Sequence, residues 1–113
     1  MPHFVIEHGN ALLNDADIND ALQITLECGG RMDFISKDDI KVRLQPYTHF
    51  VAGDGRTSFL HITVYLLDGR PDGLKDTLAI ALRDELGQRF SQVQSISIDV
   101  RDMNRACYKK RLA

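Results

Sequence analysis

Little in this sequence points to a specialised environment. It has only two cysteines, Cys28 and Cys107, far apart and in no CxxC pair. Neither a disulfide scaffold nor a thiolate metal site is therefore expected, and a reducing, cytoplasmic setting fits. No apolar run approaches the roughly 18 residues of a membrane span, and no charged segment leading into an apolar stretch opens the chain. An excess of one sign of charge is missing too. With 14 basic and 16 acidic residues the net charge is −2, which argues against a general nucleic-acid binder. The four histidines, His3, His8, His49 and His61, show no HExxH spacing or i, i+4 pairing, so no metal site is expected. GxSxG, Walker-type and GxGxxG loops are also absent. What remains is a chain of 113 residues, read as a single domain over 1–113. A chain of this size buries about 65% of its unfolded surface, enough for one core without covalent staples.

Period-two and period-3.6 patterns alternate clearly along it. Pro2 to His8 (PHFVIEH) reads as a short strand closed by Gly9 and Asn10. Asp17 is the expected N-cap of a first helix, with Asp20 as its acidic partner three residues on. That helix should run to about Cys28, with Ile18, Ala21, Leu22 and Leu26 on one face and Gly29-Gly30 as its stop. The second strand, Ile40 to Gln45, sets Ile40, Val42 and Leu44 against Lys41, Arg43 and Gln45. Pro46 should end it or put it at an edge. After a turn at Gly53-Asp54-Gly55, a third strand sets Leu60, Ile62, Val64 and Leu66 against Phe59, His61, Thr63 and Tyr65. Pro71 then opens a long helix with a stripe of Leu74, Leu78, Leu82, Leu86 and Phe90. The fourth strand is Ser95 to Val100, followed by a tail carrying Arg101, Arg105, Lys109, Lys110 and Arg111.

The order is β-α-β, β-α-β, and each crossover helix is long enough to join a parallel pair. The expected fold is α+β, with two βαβ units forming a four-stranded mixed sheet and both helices on one face. The other face carries a partly polar row, which in many antiparallel sheets simply meets water. Phe59 and Tyr65 lie within that row, and they make it more like a surface that meets a partner subunit.

Candidate chemistry is sparse. His61, in mid-strand, reads as a locally hydrogen-bonded structural residue. Cys28 reads as a small buried hydrophobe, and Cys107 has basic neighbours but no evident base partner. Pro2 is the unusual residue, because it follows Met1 directly. Removal of the methionine would leave a secondary amine at the head of the first strand. As a general base that amine needs a pKa near 7. Apolar burial and nearby cations both push it down, and a depression of about two to three pH units corresponds to roughly 3–4 kcal/mol. Lys41 and Arg43 share a strand face at roughly 7 Å, a spacing that suits a di-acid. They read equally well as solvated strand charges. Arg70 lies just before a helix N-terminus, where it suits an anion site or an ordinary surface turn.

The segments PHFVIEH, DIKVRLQPY, FLHITVYLLDGRP and SIDVRDMNRACYKK, in this order and spacing, resemble the 5-carboxymethyl-2-hydroxymuconate Δ-isomerase family. That family belongs to the tautomerase superfamily, with 4-oxalocrotonate tautomerase and macrophage migration inhibitory factor as relatives. The resemblance runs through nearly the whole chain, and the proline with the FLHIT…GR segment is its most specific part. It implies a tautomerase-like fold and a homotrimer with active sites between subunits. It also implies proton transfer by the amino-terminal proline without a cofactor, in the catabolism of aromatic compounds such as 4-hydroxyphenylacetate and homoprotocatechuate. Pro2 takes the position of the catalytic proline. Lys41, with Arg43 two residues on, and Arg70 take the positions of the arginines that bind a small anionic substrate. Lys41 in place of arginine exchanges a bidentate fork for a point charge. Lys110-Arg111 stands where many relatives have Lys-Asn. The competing reading is a non-enzymatic α+β module that binds a small ligand or regulates, in which Pro2 merely starts a strand. A nucleic-acid binder using the basic tail fits least, since the tail is short and the strands lack an RNP-type aromatic motif.

Overall fold

Alternation in the strands decides which side of the sheet is dry. The computed structural model describes residues 1–113. It contains β1 (His3–Gly9), α1 (Asp15–Gly30), a short 3-10 turn (Lys37–Asp39), β2 (Lys41–Pro46), β3 (Phe59–Leu67), α2 (Asp72–Arg89) and β4 (Ile96–Met103). The strand order is β2-β1-β3-β4. β1 pairs with β2 and β3 with β4 in parallel, while β1 and β3 run antiparallel at the centre. Each βαβ unit is thus one parallel pair with its crossover helix, and the mixed sheet expected from the sequence is present.

Phe4 and Ile6 of β1 and Leu60, Ile62, Val64 and Leu66 of β3 form the dry face. They pack with Ala21 and Cys28 of α1 and with Leu78, Leu82, Leu86 and Phe90 from α2 and its cap. Fully burying one such side chain is worth about 1.5–3 kcal/mol, so this single cluster is the main source of cohesion. β2 is an edge strand ending at Pro46, where a residue without an N–H costs no ladder bond.

Four expectations about element ends and faces need correction. The N-cap of α1 is Asn14, not Asp17: its side-chain oxygen accepts from the Asp17 N–H at 2.9 Å. Asp17 instead sits in the first turn and reaches back to accept from the Leu13 N–H at 3.0 Å, a reciprocal arrangement like a capping box. Its other oxygen accepts from Arg89 of α2 at 2.8 Å. The Leu13 bond first, and then Arg89, hold the Asp17 carboxyl below the usual carboxylate range. Secondly, α1 continues through Gly29 and Gly30, because a bare Cα at position 29 lets the helix approach Phe4. Thirdly, Leu74 does not extend the buried stripe of α2. It is 39% exposed where Leu78 is fully buried, in a first turn whose Asp72 and Gly73 are exposed as well. Finally, β4 runs on to Met103 because Asp102 and Met103 still pair with Leu66 and Leu67, although their side chains no longer alternate.

His8 closes the dry face at the end of β1 and is only 6% exposed. Its Nδ1 accepts from the Leu12 N–H at 3.4 Å, so the ring is neutral with its proton on Nε2. Burial pushes its pKa below the ordinary 6.5. The unfolded chain therefore takes up this proton before the folded one does. Stability is fully present above about pH 6.5 and falls as pH drops toward the lower folded value. The urea midpoint of the wild type is expected to fall between about pH 7 and pH 5, and His8→Gln should fall less steeply. Parallel pH curves for the two proteins would remove His8 as the cause.

Candidate active site

Pro2 lies at the head of β1, where the strand's alternation puts its ring on the same side as Phe4 and Ile6. It is fully buried within the chain, and its carbonyl accepts from the Lys41 N–H at 3.0 Å. That bond extends the parallel β1–β2 ladder to the first possible residue. Beside it opens a cleft of about 430 Å³, lined chiefly by Pro2, Phe34, Ile35, Leu66, Leu67 and Arg70. Met1, Asp33, Ser36 and Asp39 complete the lining, so that half of it is apolar, a mix that suits a small polar organic ligand. Arg70 is partly tied down: Nη1 donates to the Leu67 carbonyl at 3.3 Å and Nη2 to the Phe34 carbonyl at 3.1 Å. It thereby holds the 33–36 segment against the end of β3, and the remaining N–H groups of its fork are left for a ligand.

The amine of Met1 donates to the carbonyl of Asp39. Burial, then Lys110, then Lys41 lower its pKa below 8.0, while Asp39 opposes them. The environment at this end of β1 thus disfavours a charged amine through both physical routes, desolvation and like charge.

Lys41 and Arg43 lie on the opposite sheet face from the Pro2 ring. Lys41 pairs with His3 and Arg43 with Val5, so all four side chains project to the open side. Arg43 Nη1 is 3.1 Å from His3 Nδ1, and His3 Nε2 is 3.1 Å from the Tyr108 hydroxyl. Burial and then Arg43 push the His3 pKa below 6.5, helped by the N-terminal amine, Lys41 and Lys110. Lys110 comes within 4.0 Å of the Asp39 carboxylate. Of the residues singled out from the sequence, Pro2 and Arg70 share one cleft. Lys41 approaches the N-terminal amine from the other face, and Arg43 is engaged by His3. Sequence reasoning missed His3 and Tyr108 as members of this region, while Lys110 entered it only through the resemblance, as a departure at the rim of the site. His3 would have been found from strand parity once β1 and β2 were paired, whereas nothing local marks the tail residues.

The other chemically competent side chains are accounted for locally. Burial and then Glu85 push the Cys28 thiol up to about 12, which leaves it an inert core residue, while Cys107 is exposed. His61 is hydrogen-bonded on both nitrogens, to Ser97 at 2.7 Å and Thr63 at 3.2 Å. No group of three or more His, Cys, Asp or Glu side chains is placed to hold a metal ion. No helix is long and apolar enough to cross a membrane.

No model of a protein family matches the chain, and no curated protein matches it. Solved structures do. Pt0534 inactivated by 2-oxo-3-pentynoate superposes with a TM-score of 0.83 at 15% identity, over 96% of this chain and 91% of that one. A 5-carboxymethyl-2-hydroxymuconate isomerase from Deinococcus radiodurans R1 gives 0.78 at 21% identity, over 97% and 88%. A fused 4-OT wild type symmetric trimer gives 0.77 at 18% identity, over 92% and 87%. The pair of βαβ units, their central antiparallel seam and the helices on one face are shared throughout, and this chain has the fold of the tautomerase superfamily.

Proposed function

We propose that this protein is a cofactor-free isomerase or tautomerase. It moves a proton within an unsaturated 2-hydroxy or 2-oxo polycarboxylate, with Pro2 as general base after removal of Met1. The observation that carries the reading is the cleft in which Pro2 and Arg70 meet, beside an N-terminal amine whose pKa is lowered by burial, Lys110 and Lys41. The free proline nitrogen takes the proton of the 2-hydroxyl group, and the electron pair moves into the conjugated system as a dienolate. The protonated proline then returns the proton to carbon, which restores the base and leaves the 2-oxo product. Arg70 holds a carboxylate in that cleft, and Lys41 and Arg43, on the other sheet face at the head of β1, are the further cations assigned to the carboxylates and the dienolate charge.

The same reading places the site in a homotrimer. It is supported by Phe59 and Tyr65 on the uncovered sheet face, and by likeness to a structure described as a symmetric trimer. A reducing, cytoplasmic setting accords with the free thiols of Cys28 and Cys107. The test pairs an intact mass spectrum with an ultraviolet assay of 2-hydroxymuconate. The mature chain is expected to begin at Pro2 and to convert the dienol band into that of the conjugated ketone. Fully active protein that retains Met1 would exclude Pro2 as the base. An absence of conversion would return the chain to a ligand-binding role.

A further inference from the structure

Charge inside the Pro2–Arg70 cleft is unevenly answered. Of the ten residues that line it, Arg70 alone has a cationic side chain, while Asp33 and Asp39 are anionic. The chain-end amine adds no lasting charge, since it must be neutral to act as a base. The hydrogen bonds of Arg70 go to the main-chain carbonyls of Leu67 and Phe34, so its charge has no carboxylate partner. Asp39 has Lys110 within 4.0 Å. Asp33 has no ion pair: Arg31 and Lys37, its nearest basic neighbours along the chain, are engaged by Glu85 and Glu27 instead. Its carboxylate is exposed, and no contact within the fold uses it. Phe34, Ile35, Leu66 and Leu67 supply most of the remaining wall and offer a charged group no partner. One carboxylate entering the cleft is thus answered by Arg70. A second meets apolar side chains or the like charge of Asp33.

We propose that Asp33 is a specificity-determining residue, which restricts the part of the substrate inside the cleft to a single carboxylate, the one held by Arg70. This rests on the function proposed above and narrows its substrate class. The reacting end is a 2-hydroxy or 2-oxo acid with one carboxylate, followed by an uncharged unsaturated chain against Phe34, Ile35, Leu66 and Leu67. Further carboxylates of the substrate lie beyond the cleft. Discrimination of this kind comes from repelling the wrong charge rather than from added attraction to the right one. It also sets direction, because a short chain charged at both ends has no orientation in which each carboxylate meets a cation of the cleft.

The test compares crotonate with fumarate, unreactive four-carbon acids that end in a methyl group and in a second carboxylate respectively. Both are too short for the far end to leave a cleft of about 430 Å³ while the near end is on Arg70. Backbone-amide NMR titration of the whole protein is expected to show the wild type favouring crotonate. Asp33→Asn should shift the ratio of the two affinities toward fumarate by about fivefold, the scale of two like charges about 4 Å apart in water. Asp38→Asn removes the same charge from the neighbouring 37–39 turn, outside the lining, and should leave the ratio unchanged. That control separates a contact in the cleft from a change in the overall field, and a merely structural Asp33 would not move the ratio. Arg70→Gln should weaken crotonate, which places the probe. The proposal is overturned by fumarate binding more tightly than crotonate to the wild type, or by no crotonate binding at all. An unchanged ratio in Asp33→Asn, an equal shift in Asp38→Asn, or crotonate binding indifferent to Arg70→Gln would overturn it too. Failure of the proline reading shows separately, as absent dienol conversion with the crotonate preference intact.

Discussion

Pro2→Ala is expected to lower kcat on 2-hydroxymuconate by about 10²–10⁴-fold, the usual worth of a positioned general base. The substitution keeps an amine at the chain start but makes it primary, and it removes the ring that fills the space at the head of β1. The carbonyl that accepts from the Lys41 N–H belongs to the backbone and is retained, so the strand ladder should survive. The unfolding midpoint is therefore expected to move little compared with the loss of turnover. On the proposed assignment of Pro2 to the chemical step and of Arg70, Lys41 and Arg43 to ground-state binding, KM should change less than kcat. Its pH dependence separates base loss from misfolding. The wild-type rate should rise with pH as the proline amine loses its proton. The alanine protein, whose primary amine is the weaker base, should keep a rise but at lower pH. A variant within about twofold of the wild-type rate would remove Pro2 from the chemistry.

Much of the fold was legible because strand alternation is a local signal with global consequences. Leu60, Ile62, Val64 and Leu66 are buried on one face, as their spacing requires, and two long crossovers leave few ways to join the strands. Element ends were less legible because their deciding partners are remote. Asn14, Asp15 and Asp17 can all cap a helix, and the selection of Asn14 is accompanied by Asp17 bonding to Arg89, 72 positions away. The site divides the same way. Pro2 is chemically conspicuous by its position after Met1, and Arg70 by its place before α2. That they line one cleft follows from the ladder of β1 with β3, which brings Pro2 beside the end of β3. His3 and Tyr108 are 105 positions apart, and no periodicity relates them. Only the turn after β4 makes them neighbours.

Phe4→Ala should be the costliest single change to stability, at about 3–5 kcal/mol. The ring is fully buried in the core, two residues from Pro2, and it lies against the last turn of α1. A methyl group on Gly29 would stand 2.7 Å from Phe4 Cζ and 3.3 Å from Ile40 Cδ1, closer than packed carbon atoms tolerate. The glycine is therefore inside the helix to admit the ring, although it lowers helix propensity by roughly 0.8–1 kcal/mol relative to alanine. Gly29→Ala alone should cost about 1–3 kcal/mol through overpacking, partly offset by that propensity. With Phe4 already replaced by alanine, the obstruction is gone and only the propensity gain remains. Gly29→Ala should then be neutral or stabilising, and the double variant should be more stable than the sum of the single effects implies. Urea unfolding of the four proteins, compared at equal m, measures that coupling. Strict additivity would show that Phe4 and Gly29 do not contend for the same space, and the continuation of α1 past Cys28 would then need another cause.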